Sequence, residues 1–357
     1  MEFALRNPLI LSNIFSRLDF ASLKTTRSVC SLWADEAAHP LGLKSVLKVH
    51  KVFPHCCTAT GLPSHFDPKL AVHVDINLNC GGVVTGNYSH SAKRESRAAA
   101  VNISTFLSAS HQNIETIKVT NNFAFPVFRS LTKLGFPKLK CFQIIGSDFC
   151  EENYTPKIDA ELLYCVTKSL KRVEFTLPKE FGNAMSDLYD IFQDLIDCAE
   201  NLEVLKIQEF YVPNLDNCKK LKVLEYTGFP KGALLYRGPC VQNGGFDVEP
   251  LHDMLEGVKD SLEVLTIACR HDLLCRHVQV ELEDFQTPVM TKLEKLCING
   301  FAMYGFATSI TKNQFPKLKM LAVSGEYIEA KDMFEAPFPC EVSKDGVKIF
   351  DYDMHLS

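Results

Sequence analysis

"LEVLKIQEFYVPNLDNCKKLKVLEY" occupies residues 202–226. Its two ends carry one pattern: apolar, two residues, apolar, one residue, apolar. Leu202, Leu205 and Ile207 fill it first, and Leu221, Leu224 and Tyr226 fill it again. The pattern extends both ways along the chain. Upstream it reads "IETIKV" (Ile114, Ile117, Val119), "LKCFQI" (Leu139, Phe142, Ile144) and "LKRVEF" (Leu170, Val173, Phe175). Downstream it reads "LEVLTI" (Leu262, Leu265, Ile267), "LEKLCI" (Leu293, Leu296, Ile298) and "LKMLAV" (Leu318, Leu321, Val323). A pattern kept through eight copies is the mark of a repeat architecture, in which each unit buries its apolar face against its neighbours.

Helical patterns lie between the copies. "DLYDIFQDLIDCAENL" places Leu188, Ile191, Phe192, Leu195, Ile196 and Ala199 on one face. "PLHDMLEGVKDSL" does the same with Leu251, Met254, Leu255 and Val258, and "AELLYCVTKSL" and "PVFRSLTKLGF" are shorter versions. Each helix precedes a strand, so the unit is helix then strand. The L-x-x-L-x-L pattern resembles the strand signature of leucine-rich repeats. That resemblance implies an α/β fold, a curved solenoid with a parallel sheet on its concave face. The copies begin 19 to 41 residues apart, against about 20–29 for the usual repeat, so several units carry insertions. Gly228, Gly300 and Gly325 follow strands and are expected to supply the exit turns. Upstream, "KLAVHVDINLN" alternates strictly through Leu70, Val72, Val74, Ile76 and Leu78 and predicts an early strand; "LKSVLKV" at 43–49 predicts another.

The N-terminal segment has a different texture. "NPLILSNIFSRLDFASLKTTRSVCSLW" covers residues 7–33 and holds the only tryptophan. Pro8 is suited to the first helical position, and Leu11, Ile14, Phe15 and Leu18 then recur at helical spacing. Asp19 predicts the N-cap of a second helix bearing Leu23, Thr26 and Arg27. A third helix is expected from Ser31, through Leu32, Trp33 and Ala37, ending at His39-Pro40. Three short helices cannot enclose this much apolar surface. The segment is either a cap docked on the rest of the chain or a docking site for another protein.

From Leu5 to Pro40 the segment resembles an F-box: a proline near the start, then "ILSNIFSRLD", a leucine, "RSVC" and "LW" in order. The family's opening Leu-Pro-x-Glu departs here, because Arg6-Asn7-Pro8-Leu9 shifts the proline by one and sets Leu9 where the acid usually stands. The resemblance implies docking to a Skp-family adaptor, and through it to a cullin. It assigns Pro8, Leu9, Ile10, Ile14, Leu18, Leu23, Val29 and Trp33 to the docking unit, with Ile14 and Trp33 partly holding the helices together.

The expected organisation is docking helices over 1–40, a linker with atypical first repeats over 41–100, the solenoid over 101–330 and a C-terminal cap over 331–357. Net charge −5 argues against a nucleic-acid partner. No apolar run has the roughly 18 residues of a bilayer span, and the opening "MEFALRNPLILS" lacks the pattern of a secretory leader. The 14 cysteines sit in apolar stretches and read as buried thiols of a reducing compartment, cytoplasmic or nuclear.

Four inserts interrupt the array, at 50–67, 80–97, 229–250 and 268–290. Tyr236 and Arg237, in the third, are residue types common at interface centres and are the candidate target-binding loop. "CRHDLLCRH" gathers Cys269, His271, Cys275 and His277, and "HCC" stands at 55–57. Neither has the paired spacing of a structural zinc site, so no metal and no cofactor is expected. No P-loop, GxGxxG or GxSxG occurs, and no catalytic residue is expected. The function that the two resemblances imply is the substrate-recognition subunit of an SCF-type ubiquitin ligase, monomeric apart from that complex, with an unknown protein target. The alternatives are a non-degradative scaffold using the same adaptor, and a repeat protein with no ligase link.

Overall fold

The computed structural model describes residues 6–53, 58, 61–77, 90–120, 124–145, 167–176, 186–208, 211–228, 248–269, 287–300, 313–324, 340–342 and 348–351. The chain forms two compact units, residues 1–169 and 170–357.

In the first unit, α1 (Pro8–Arg17), α2 (Phe20–Thr26) and α3 (Ser31–Leu43) precede β1 (Val46–Lys48), α4 (Val49–Val52), a 3-10 turn (Pro68–Leu70) and β2 (His73–Ile76). Then come α5 (His90–Ser110), β3 (Thr116–Thr120), α6 (Ala124–Leu134) and β4 (Cys141–Ile145). The four strands are parallel, with Val74 opposite Leu47 and Ile117, and Ile117 opposite Phe142. Val74, Ile117 and Phe142 point inward and are almost fully buried. α5 covers them with Ala99, Ile103, Phe106 and Leu107, all buried on one helical face. α6 adds Val127, Phe128 and Leu131, and Phe128 meets Phe142 edge-on at 5.3 Å.

The second unit holds β5 (Arg172–Thr176), α7 (Ser186–Asp197), β6 (Val204–Gln208), β7 (Val223–Gly228), α8 (Val248–Val258), β8 (Val264–Cys269), β9 (Lys295–Asn299) and β10 (Met320–Ser324). These six strands are parallel, with Val173, Leu205, Leu224, Leu265, Leu296 and Leu321 in one register row. All six are buried. Two further strands, β11 (Cys340–Val342) and β12 (Lys348–Asp351), pair antiparallel, and β12 also pairs antiparallel with β10. The far edge of β10 is thereby covered, which removes a template for edge-to-edge association.

The repeats share a backbone device. The carbonyl after the first leucine accepts two N–H groups from the next repeat: Lys171 O from Glu203 and Val204, Glu203 O from Lys222 and Val223, Lys222 O from Glu263 and Val264. The first leucine is held by its own turn, as in Leu202 N–H to Ala199 O at 2.9 Å and Leu221 N–H to Cys218 O at 3.0 Å. Phe136, Ala199, Cys218, Met290 and Phe315, each three residues before a triplet, are buried too. They form a fourth anchor that the triplet reading leaves out.

Three expectations change. α3 does not end at Pro40 but runs on to Leu43, so the expected boundary at residue 40 falls inside a helix. An internal proline costs about 3 kcal/mol. Here Ala37, Ala38, Pro40, Leu41 and Gly42 are all buried, and that packing holds the last turn. Gly42 makes the approach possible: a Cβ there would lie 2.8 Å from Val72 Cγ2, 2.9 Å from Lys69 O and 3.0 Å from Leu70 O. The insert expected at 80–97 overlaps α5, a 21-residue helix. Gly228 is not an exit turn, because it lies within β7 opposite Cys269, whereas Gly300 does adopt φ 78° at the end of β9. Gly325 lies outside the described residues, as do most of "AELLYCVTKSL", the loop with Tyr236 and Arg237, and His55, Cys56 and Cys57.

Candidate docking surface

The first three helices are built locally by their caps. Asn7 takes the Leu9 N–H at 3.0 Å on its side-chain oxygen, and Pro8 occupies the first helical position. Asp19 takes the Ser22 N–H at 2.7 Å, and that bond holds its carboxyl below the usual carboxylate range. The apolar residues then divide. Leu11, Phe15, Leu23, Ala37 and Leu41 form a closed core, with Leu18, Leu32, Trp33 and Leu70 packed on its margin. Trp33 meets Phe15 edge-on at 5.6 Å.

Leu70 belongs to the 3-10 turn, so one side of the helices is covered by the rest of the first unit. Two ion pairs fix that side: Arg27 to Asp67 at 3.0 Å and Lys69 to Asp35 at 2.7 Å. Asp67 also caps the turn through the Lys69 N–H at 3.0 Å. The other side is open. Leu9 is 82% exposed, and Ile10, Ile14, Phe20 and Val29 are 40–59% exposed. The segment is therefore docked on its own chain on one side and retains uncovered apolar side chains elsewhere.

The residues assigned by resemblance sort accordingly. Pro8, Leu9, Ile10, Ile14 and Val29 are exposed, so each is accessible to a partner. Leu23 is fully buried and holds α2 in place. Leu18 and Trp33 are partly buried against the core. Ile14, expected to help hold the helices together, faces outward instead, because the i, i+4 pair that turns inward on α1 is Leu11 and Phe15. Phe20 was not among the assigned residues; its place directly after the Asp19 cap, on a helix whose inward residues are Leu23 and Thr26, was the available signal.

His39, half-buried on α3, is pushed below its ordinary value first by burial and then by the Lys138 charge, with Glu115 opposing and Lys69 adding. A folded value below the unfolded 6.5 means that the unfolded chain takes the proton first. Stability is then complete above about pH 6.5 and declines as pH drops through that value. The melting temperature should fall between pH 7.5 and pH 5.5, and His39→Gln should flatten part of that fall. Equal slopes in the two proteins would show that His39 is not the group involved.

A second surface lies on the outward side of the strands in the second unit. One register row there reads Arg172, Val204, Val223, Val264, Lys295, Met320. The next reads Glu174, Lys206, Glu225, Thr266, Cys297, Ala322. Lys206 bridges Glu225 at 2.6 Å, and Arg172 bridges Glu174. The half-exposed Val204, Val223 and Val264 make an apolar strip that the sequence reading missed. Its signal was the residue before the second leucine, valine in "LEVLKI", "LKVLEY" and "LEVLTI".

Burial pushes the Cys218 and Cys269 thiols up to about 12, which keeps them protonated and poor nucleophiles. Cys269 is an inward residue of β8, while His271, Cys275 and His277 lie outside the described residues. No group of three metal-ligating side chains occurs among the described residues, and no helix there is long and apolar enough to cross a membrane. No family model matches the chain, and no curated protein matches it.

Proposed function

We propose that the chain is the substrate-recognition subunit of an SCF-type cullin–RING ubiquitin ligase. The observation that carries this reading is the division of apolar side chains over α1, α2 and the turn that follows α2. The helices complete a core of their own and still present Leu9, Ile10, Ile14, Phe20 and Val29 to solvent. Exposed apolar side chains concentrated within residues 9–29 mark an interaction surface, and this segment resembles an F-box. On this reading the surface docks a Skp-family adaptor. The repeats, read as leucine-rich, hold a protein target, with the Val204–Val223–Val264 strip as the candidate contact. The protein contributes no catalytic group. It works by raising the effective concentration of target beside a ubiquitin-loaded enzyme. The site of action is the cytoplasm or nucleus, and the chain is monomeric apart from the ligase.

The test is capture of purified Skp-family adaptor and cullin by the full chain, followed by the half-life of co-purified proteins with and without it. Capture with shortened half-lives is expected. Capture with unchanged half-lives supports the second reading, a non-degradative scaffold on the same adaptor. No capture removes both.

A further inference from the structure

Charge is spread unevenly around the apolar face of α1 and α2. Arg17 follows Ile14 by one turn on the same side of α1, three residues on. The Lys24 ammonium lies 4.4 Å from the centroid of the Phe20 ring. Arg17 and Lys24 are both exposed, and neither has an ion-pair partner among the described residues. Three carboxylates of the first unit are committed elsewhere. Asp19 caps Ser22, Asp35 bridges Lys69 and Asp67 bridges Arg27. Over the three helices, residues 6–43, the cations are Arg6, Arg17, Lys24 and Arg27 and the carboxylates are Asp19, Asp35 and Glu36, the last two on α3. The exposed apolar side chains of α1 and α2 thus share a small island with two cations, Arg17 and Lys24, that have no ion pair among the described residues.

We infer that the partner seated here is a protein with an apolar groove rimmed by carboxylates, and that Arg17 and Lys24 pair with that rim. The inference rests on the docking reading above and adds how the partner is selected. Exposed rim charges act mainly on the rate of encounter and on the exclusion of wrong partners, while the buried apolar contacts set the lifetime. Lys24 is already placed over Phe20, so its cation is presented beside an apolar contact with little further ordering. A basic apolar helix also suits an anionic bilayer. However, α1 has ten residues, and Leu11 and Phe15 are committed to the core. What remains is a narrow stripe, which fits a protein groove better than a lipid surface.

The experiment measures association and dissociation rates of the full chain with purified Skp-family adaptor. Salt is set at about 0.1 M and about 1 M, where screening lengths are about 10 and 3 Å. The variants are R17E/K24E and a control, K292E/K317E, with the same charge change at exposed sites of the second unit. For R17E/K24E the association rate should fall about tenfold at low salt, with the deficit shrinking at high salt and dissociation little changed. The control should match the unaltered chain. Equal slowing of both variants, or association indifferent to salt and to Arg17 and Lys24, overturns the acidic rim while leaving apolar docking intact. An unaltered chain that binds no adaptor removes the docking reading and this inference with it. Binding to phosphatidylserine vesicles, lost in R17E/K24E and without adaptor binding, would assign the island to a lipid surface and overturn the protein partner.

Discussion

Leu9→Asp combined with Ile14→Asp should abolish adaptor capture and leave the melting temperature of the chain within a few degrees of its starting value. Leu9 is 82% exposed and Ile14 42%, and neither belongs to the core of the first three helices. Exposed substitutions of this kind typically change stability by about 0.5 kcal/mol or less. In the complex both carboxylates would be taken out of water, the one at position 9 without a partner and the one at position 14 diverting Arg17 from the partner's rim, at a cost of several kcal/mol. Each ~1.4 kcal/mol is tenfold in affinity, so the loss should exceed about a thousandfold. Phe15→Ala should also lose capture, but by a different route: it opens a cavity worth about 3–5 kcal/mol and lowers the melt. Trp33→Ala belongs with Phe15, since Trp33 packs on that core. Capture that survives in the folded double aspartate variant would show that α1 is not the docking element.

The same division marks what the sequence could disclose. The Pro8 start of α1 and the Asp19 cap of α2 were legible, because each acts within a few residues of itself. So were the strands, whose leucine triplets repeat a local period in every unit. Which side of α1 faces the core was not. Leu9, Ile10, Leu11, Ile14 and Phe15 are apolar almost all round, and the choice of Leu11 and Phe15 is made by α3, through Ala37 and Leu41.

The continuation of α3 past Pro40 was hidden for a similar reason. It depends on close contact between Gly42 and residues 69–72, which local propensity does not contain. This matters for dissection of the protein. Deletion of residues 1–39 would remove most of a helix whose last turn, Pro40 to Gly42, is buried, and would uncover Leu70. Loss of function in such a truncation would confound docking with folding, whereas surface substitutions keep the two apart. α5 escaped notice because a polar start, "HSAKRESR", adjoins an apparent insert; its Ala99, Ile103, Phe106 and Leu107 stripe was nonetheless present.

The largest effect on stability is expected in the second unit, from Leu265→Asp. Leu265 has no exposed surface, and in register it lies between Leu224 and Leu296, both equally buried. A carboxylate there has no cation within the row, so it must either stay charged in an apolar environment or be protonated there. Either course costs several kcal/mol. Removing the leucine side chain alone costs about 2–5 kcal/mol. At about 2–4 °C per kcal/mol for a unit of this size, the melt should drop by about 10 °C or more. The control is one residue away. Thr266 lies on the outward face of β8, opposite Glu225 and Cys297. Because strand side chains alternate, Thr266→Asp places the same carboxylate on the half-buried outward face, opposite Glu225, whose charge is offset by its ion pair with Lys206. Its melt should shift by about 1–2 °C at most. The pair tests the register directly: if Leu265→Asp is tolerated and Thr266→Asp is not, the inward and outward faces of the strands are exchanged, and the Val204–Val223–Val264 strip belongs to the core rather than to a binding surface.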